Sequence, residues 1–293
     1  MAAYRLASYQ SAQGPRAAII VEDKVFDAAE LTGQAVYASV LGILDDWERA
    51  GPLLKSAAGQ TASAKGKVLA QTKLLAPVLW PPTIYCAGAN YSDHVAEMAK
   101  RRNQAPDPDP HTLGLKPWHF IKASRTLADP GATIATSHYS KMMDWEAELA
   151  AVIGRPSRNV SIDRALDHVA GYTVANDLSA RDLSRRPHIS DTSPFKADWL
   201  AHKSFEGACP LGPWITPAHD IADPHDLGIK LWVNDVIKQD SNTGGMIFNL
   251  AEQIAHISTR ITLHPGDVIL TGTPAGVGAG RNEFLKPGDV VKV

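Results

Sequence analysis

A β-rich α+β fold follows from three features of this 293-residue chain. Short apolar runs recur between Gly and Pro residues, convincing helical periodicity beyond residue 75 is confined to two stretches, and the first seventy-odd residues have a pattern of their own. The expected organisation is a small N-terminal domain over 1–75 and a larger catalytic domain over 76–293. A chain of this length can bury a substantial core.

In order along the chain, short alternating runs at 4–9 and 17–26 read as strands, and 36–58 reads as helical. Residues 59–66, Gly-Gln-Thr-Ala-Ser-Ala-Lys-Gly, are small and polar, the composition of a linker. Beyond residue 75, apolar runs at 84–87, 120–122, 149–153, 229–233 and 268–272 predict strands. Helices are expected at 163–170 and 246–260, the second with Ile247, Leu250, Ile254 and Ile257 on one stripe. Residues 101–117 carry four prolines among polar residues, so they cannot join a central sheet or helix and read as a mobile surface loop. Residues 184–202 are similarly irregular, as lids and binding loops are.

Composition excludes several functions. Twenty-nine basic residues against 31 acidic ones give a formal charge of -2 and a pI near 6.6, so no global field recruits nucleic acid or an anionic membrane. The longest apolar runs, such as 17–21, fall far short of the roughly 20 residues that span a bilayer. With no basic region followed by an apolar stretch at the N-terminus, a cytoplasmic protein is expected. Cys86 and Cys209 lie far apart and lack CxxC spacing, which predicts buried, inert thiols rather than a disulfide framework or a zinc site.

The chemistry centres on Asp-Trp-Glu-Ala-Glu at 144–148. In a strand, Glu146 and Glu148 point from one face, and two adjacent carboxylates call for a cation. Asp177 ends another strand-like run and supplies a third hard oxygen ligand. Oxygen-only ligation favours Mg²⁺ or Mn²⁺, with Ca²⁺ as a possible substitute, over zinc. A half-exposed strand edge would produce the same alternation without a metal. His94 and Glu97, three apart on a short helix capped by Ser92 or Asp93, form a candidate general base and its orienting carboxylate, or a surface ion pair. Lys203, Lys122 and Arg181 border apolar segments, where a cation can hold a carboxylate or a developing oxyanion, or simply snorkel at a sheet edge. The glycine-rich run 271–280 lacks the Lys-Ser/Thr ending of a phosphate loop, leaving a backbone-and-hydroxyl anion pocket with Thr273 as donor.

These segments, in this order, resemble the fumarylacetoacetate hydrolase family. The likeness rests on Ala-Gly-Ala-Asn-Tyr-Ser-Asp-His-Val-Ala-Glu-Met, Phe-Ile-Lys, Asp-Trp-Glu-Ala-Glu, Gly-Tyr-Thr-Val-Ala-Asn-Asp-Leu-Ser-Ala-Arg-Asp, Lys-Ser-Phe, Pro-Leu-Gly-Pro-Trp, Gln-Asp-Ser-Asn-Thr, Pro-Gly-Asp-Val-Ile and Thr-Gly-Thr-Pro-Ala-Gly-Val-Gly, from about residue 82 onward. It implies a roll-like mixed β-sheet catalytic domain, commonly a homodimer, that binds Mg²⁺ or Mn²⁺ and acts on small 2-oxo and dioxo acids. Carried over by position, the metal ligands fall on Glu146, Glu148 and Asp177, and the base dyad on His94 and Glu97. Lys203 becomes a catalytic lysine, with Arg181, Thr273, Lys122 and Tyr91 as substrate contacts. The implied reaction is hydrolysis of a carbon-carbon bond in an acylpyruvate, fumarylpyruvate or fumarylacetoacetate-like 2,4-dioxo acid through an enolate. Alternatives are a decarboxylase or keto-enol tautomerase of an oxaloacetate-like acid, or a non-catalytic metal-binding homologue.

The chain departs from the family at Ser184, where Gln is frequent, and at Glu206, where Asp is frequent. With the irregular stretch 184–202, these put the substrate's far end in doubt. The chain also ends at Gly-Asp-Val-Val-Lys-Val, earlier than most relatives, so a terminal strand is expected to be missing or replaced.

Overall fold

Tight turns dominate the start of the chain. β1 (Arg5–Ser11), β2 (Gly14–Val21) and β3 (Lys24–Asp27) form an antiparallel meander. The single run expected at 17–26 is therefore two strands, folded back at Glu22, which adopts φ 53°. The structure is a computed structural model that describes residues 3–61, 64–135 and 138–293. The helical stretch expected at 36–58 is broken, with α1 (Ala28–Thr32) ahead of it and α2 (Val40–Leu44) and α3 (Trp47–Ala58) within it. The breaks have local causes: Ser39 is extended and its hydroxyl caps α2 by accepting the Gly42 N–H at 3.0 Å, and Asp46 is non-helical. The expected linker at 59–66 lies partly outside the described residues. β4 (Lys67–Val68) and β5 (Leu74–Leu75) then return to β3 and β1.

The remaining chain supplies β6 (Ile84–Ala87), α4 (Ser92–Arg101), β7 (His119–Lys122), β8 (Leu127–Ala128), β9 (Met143–Asp144) and β10 (Ala147–Ile153). These are followed by α5 (Ile162–Ala165), β11 (Val169–Asn176), β12 (Ser179–Ala180), α6 (Trp199–Lys203) and β13 (Cys209–Pro217). The last elements are β14 (Gly228–Val233), β15 (Val236–Asn242), α7 (Leu250–Arg260), β16 (Val268–Leu270), α8 (Gly278–Arg281) and β17 (Val291–Lys292). All five apolar runs predicted beyond residue 75 form strands. The chain's last residues form β17, which pairs with β14.

Twelve strands join in one mixed sheet in the order β4-β3-β2-β1-β13-β11-β10-β16-β6-β7, with β5 on β1 and β8 on β13. Across the boundary expected near residue 75, Leu6 of β1 pairs with Ile215 of β13. Leu6, Ile19, Ile43 and Leu54 share one buried apolar cluster with Ala150, Val152, Ile215 and Leu270. A second cluster lies on the other face of β10 and β16, where Ala151, Ile153 and Ile269 meet Leu250, Ile254 and Ile257 of α7. That helix begins at Leu250, three residues after the predicted stripe, because Ile247 and Phe248 donate their N–H groups to the main chain and side chain of Asn90 at 2.8 and 2.9 Å. Asn249 with Glu252 then caps α7 reciprocally. The helix expected at 163–170 is α5 continued by a 3-10 turn at Leu166–His168, and it ends there because β11 starts at Val169.

Because Leu6 is fully buried at this junction, Leu6→Ala is expected to cost about 2–5 kcal/mol. Urea unfolding should remain one transition, monitored by both circular dichroism and tryptophan emission. Two separated transitions would contradict a shared core.

Candidate metal centre

The register of β10 against β11 builds the acidic centre. Ala147 pairs with Asn176 at the end of the ladder. Just beyond it, the Asp177 N–H donates to the Glu146 carbonyl at 2.9 Å, and the Glu146 N–H donates to Asn176 Oδ1 at 2.9 Å. Glu146 and Asp177 therefore face each other, and Glu148 follows two residues along β10. One carboxylate oxygen from each lies within 4.8 Å of the others. Exposures of 5, 1 and 1 % rule out the solvated strand edge.

Three cations surround them. Lys203 Nζ donates to Glu146 Oε2 at 2.7 Å and Asp177 Oδ2 at 2.6 Å, leaving one of its three donors over. Lys122 Nζ bonds Asp177 and the Leu178 carbonyl. Arg181 joins Glu146 through Nη2 and donates from Nε to Asp144 Oδ2 at 2.7 Å. Lys122 and Arg181, expected as substrate contacts, are thus directed at the protein's own carboxylates, because buried acids need counter-charge. Burial alone would raise the Glu146 carboxyl, but Lys203 and then Arg181 hold it below the usual range. Glu148 goes the other way, pushed well up by burial and by the neighbouring charges of Asp177 and Glu146. A site of hard, acceptor-only oxygens in which one carboxylate is electrostatically penalised fits a divalent cation held by Glu146, Glu148 and Asp177.

The glycine-rich run 271–280 also binds anions, but they are the chain's own. Gly272 N–H donates to Glu148 Oε2 at 2.6 Å, and Gly278 and Ala279 N–H groups donate to Asp144 at 2.6 and 3.0 Å. Gly276 N–H reaches both oxygens of Glu97 at 3.1 Å, and Ala275 N–H reaches Asp93 at 3.2 Å. Gly276 is obligatory: its φ is 101°, and a Cβ there would lie 2.2 Å from the Lys238 carbonyl. The expected anion pocket is corrected on its donor, since the Thr273 hydroxyl gives its one proton to the Ala147 carbonyl at 2.9 Å and accepts from Gln239. Its role is to fix the strand between Glu146 and Glu148.

α4 carries His94 and Glu97 to this centre. The helix starts from Tyr91, which bridges to Met246, so neither Ser92 nor Asp93 is the cap; Asp93 instead accepts the His94 N–H at 2.7 Å. His94 Nδ1 lies 3.6 Å from Glu97 Oε2, longer than a hydrogen bond, and is buried without a partner. Burial acts to raise the Glu97 carboxyl, yet His94 and the Gly276 N–H bring it below its ordinary value. Tyr91 is fully buried with its hydroxyl unpartnered, and burial, then the Glu148 charge, pushes that hydroxyl up. Asp144 was not among the predicted site residues; its signal was the third acid of the period-two series 144, 146, 148. Asn90 was also missed, although its side-chain amide ties the lead into α4 to Phe248 and Thr271 at 2.9 and 2.8 Å. Both cysteines are buried and free, as expected.

A mixed sheet thus brings an acidic trio to one ladder end, beside two lysines and a buried imidazole nitrogen without a partner, an arrangement whose donor set fits a divalent cation. Residues 83–293 match the family model described as "Fumarylacetoacetate (FAA) hydrolase C-terminal". The chain belongs to the fumarylacetoacetate hydrolase family. It is 43% identical over 221 residues to the mitochondrial oxaloacetate tautomerase fahd2 of Xenopus laevis, covering 75% of this chain and 64% of that relative. It is 37% identical over 242 residues to 2,4-didehydro-3-deoxy-L-rhamnonate hydrolase of a Sphingomonas species, covering 79 and 78%. The solved maleylpyruvate hydrolase of Sphingobium sp. SYK-6, in complex with manganese(II) and pyruvate, superposes with a TM-score of 0.71 at 30% identity, covering 98% of this chain and 93% of that one. No helix among the described residues is long and apolar enough to cross a membrane.

Glu148→Gln is expected to abolish Mn²⁺ binding in calorimetric titration. Arg181→Ala, which leaves the three ligands in place, should weaken it by roughly 10–100-fold. Unchanged Mn²⁺ affinity in Glu148→Gln would remove the trio as the metal site.

Proposed function

We propose that the chain is a Mg²⁺- or Mn²⁺-dependent enzyme that interconverts keto and enol forms of a small 2-oxo acid, oxaloacetate-like in its reacting half. The observation that carries this is the buried carboxylate trio set beside an imidazole nitrogen that has no hydrogen-bond partner. Tautomerisation removes one proton from the carbon next to the oxo group and places one on the oxygen, and it needs no positioned water. In this reading His94, whose buried Nδ1 has no hydrogen-bond partner, moves the proton at carbon. The remaining Nζ donor of Lys203 can stabilise negative charge on the oxo oxygen. A divalent cation held by Glu146, Glu148 and Asp177 supplies Lewis-acid polarisation of the 2-oxo acid head. The name of the Xenopus relative supports this reading.

Carbon-carbon bond hydrolysis is the second reading, favoured by the hydrolase relatives and by Glu97, which could orient His94 toward a water. Loss of CO₂ from a β-oxo acid would pass through the same enolate. We further infer a cytoplasmic homodimer, to be tested by sedimentation and cell fractionation.

The decisive assay follows keto-enol exchange, 2,4-dioxo acid cleavage and CO₂ release separately, with and without EDTA. His94→Ala is expected to keep Mn²⁺ affinity and lose about 10²–10⁴-fold in exchange rate. Exchange at the wild-type rate in that variant would exclude His94 as the base.

A further inference from the structure

Two elements of the centre each carry a cation inward and aromatic rings outward. Along β7 and the residue just before it, Trp118, Phe120 and Lys122 alternate, so one face runs from the indole to the lysine that holds Asp177. On α6, Trp199 and Lys203 are four apart, on one helix face. The rings meet: the centroids of Trp118 and Phe120, Trp118 and Trp199, and Phe120 and Trp199 are 5.8, 5.1 and 5.1 Å apart. Lys203 Nζ, bonded to Glu146 and Asp177, sits 5.4 Å from the Phe120 ring centre.

The strand ladder puts this wall at the level of the acids. Ala150, Leu270, Cys86 and Phe120 are successive partners across β10, β16, β6 and β7. Because β10 and β7 run the same way, Glu148 and Trp118 each stand two residues toward the same end of that rung. Trp118 is held there by Gly88, where a Cβ would fall 1.8 Å from the indole. Nevertheless Trp118 and Trp199 remain 49 and 44 % exposed, which is unusual for rings packed this closely.

We propose that Trp118, Phe120 and Trp199 form the distal subsite of the metal centre and take a flat, apolar group attached to the reacting end of a 2-oxo acid. This rests on the reading of the centre as a 2-oxo acid site, and it deepens that reading by naming the far half of the substrate. The wall offers a distal carboxylate little. His202, 5.5 Å from Trp199, is kept neutral, its value lowered to about 3 by burial and then by the charges of Lys203 and Arg181. Arg185 and Arg186 are engaged with Asp191 and Asp198 at 2.8 and 2.6 Å. An aryl or conjugated acyl group can stack on the rings while its carboxylate and oxo oxygens face the cation site.

Keto-enol exchange of phenylpyruvate and oxaloacetate would be compared in the Mg²⁺-loaded wild type and in Trp118→Ala, Trp199→Ala and Gly88→Ala. The last variant displaces the indole without deleting it. The expected result is a KM for phenylpyruvate raised by about tenfold in each variant, the loss of one aromatic contact, with KM for oxaloacetate changed less than about twofold. Equal changes for both acids, or none, would overturn the subsite, as would a variant that altered only the oligomeric state in sedimentation. Binding of benzoylformate, which has no proton to exchange, tests the subsite even if neither acid turns over. Saturable quenching of tryptophan emission that is lost in Trp118→Ala and Trp199→Ala supports it, and absence of quenching in the wild type refutes it. Failure of turnover with intact benzoylformate quenching would count against the tautomerase reading alone.

Discussion

Four buried carboxylates held against two buried lysines and a half-buried arginine set the terms for this molecule. Asp144, Glu146, Glu148 and Asp177 face Lys122, Arg181 and Lys203, a formal charge of -1 for the seven groups. Each ion removed from water costs several kcal/mol unless its partners are exactingly placed, and removing one partner of such a pair typically costs about 3–5 kcal/mol. The cluster therefore fixes what surrounds it. The end of the β10–β11 ladder must hold Glu146 against Asp177, β7 must present Lys122, and α6 must stop where Lys203 can reach two acids. A formal charge of -1 would be brought to neutrality by the divalent cation and monoanionic acid head of the proposed function.

The backbone of residues 272–279 does comparable work. Its N–H groups are directed at Glu148, Asp93, Glu97 and Asp144, joining a member of the acidic trio, the helix that carries His94 and the anchor of Arg181 through one loop. Successive amides turned inward form a concave anion receptor, and here the anions are side chains of the same protein. The position of α4 is consequently coupled to that of the acidic trio. His94 stays beside the centre because Asp93 and Glu97, its neighbours on α4, are both tied to this loop.

Much of the fold was legible in local patterns. Period-two runs bounded by Gly and Pro located the strands, and the three-and-four spacing of Leu250, Ile254 and Ile257 located α7. Boundaries were less legible because they depend on remote partners. Asn90 takes the N–H groups of residues 247 and 248 and delays α7, and no local feature of 246–249 reports that. Likewise β1 reads as part of a separate small unit until it is seen pairing with β13, some two hundred residues away in sequence.

The sequence by itself singled out the acidic trio, the His94–Glu97 pair and the lysines through the order of the motifs that carry them, because spacing alone is equally that of a solvated strand edge or a surface ion pair. What each group touches was decided only by tertiary structure. Lys122 and Arg181 carry the same charge as any ligand-binding cation, and only the three-dimensional placement of Asp144, Glu146 and Asp177 reveals that they are already engaged. Thr273 likewise has a free hydroxyl on paper and a committed one in the fold. Residue type fixes which bonds a side chain can make. Burial and distance, which arise from contacts remote in sequence, fix which of those bonds it does make.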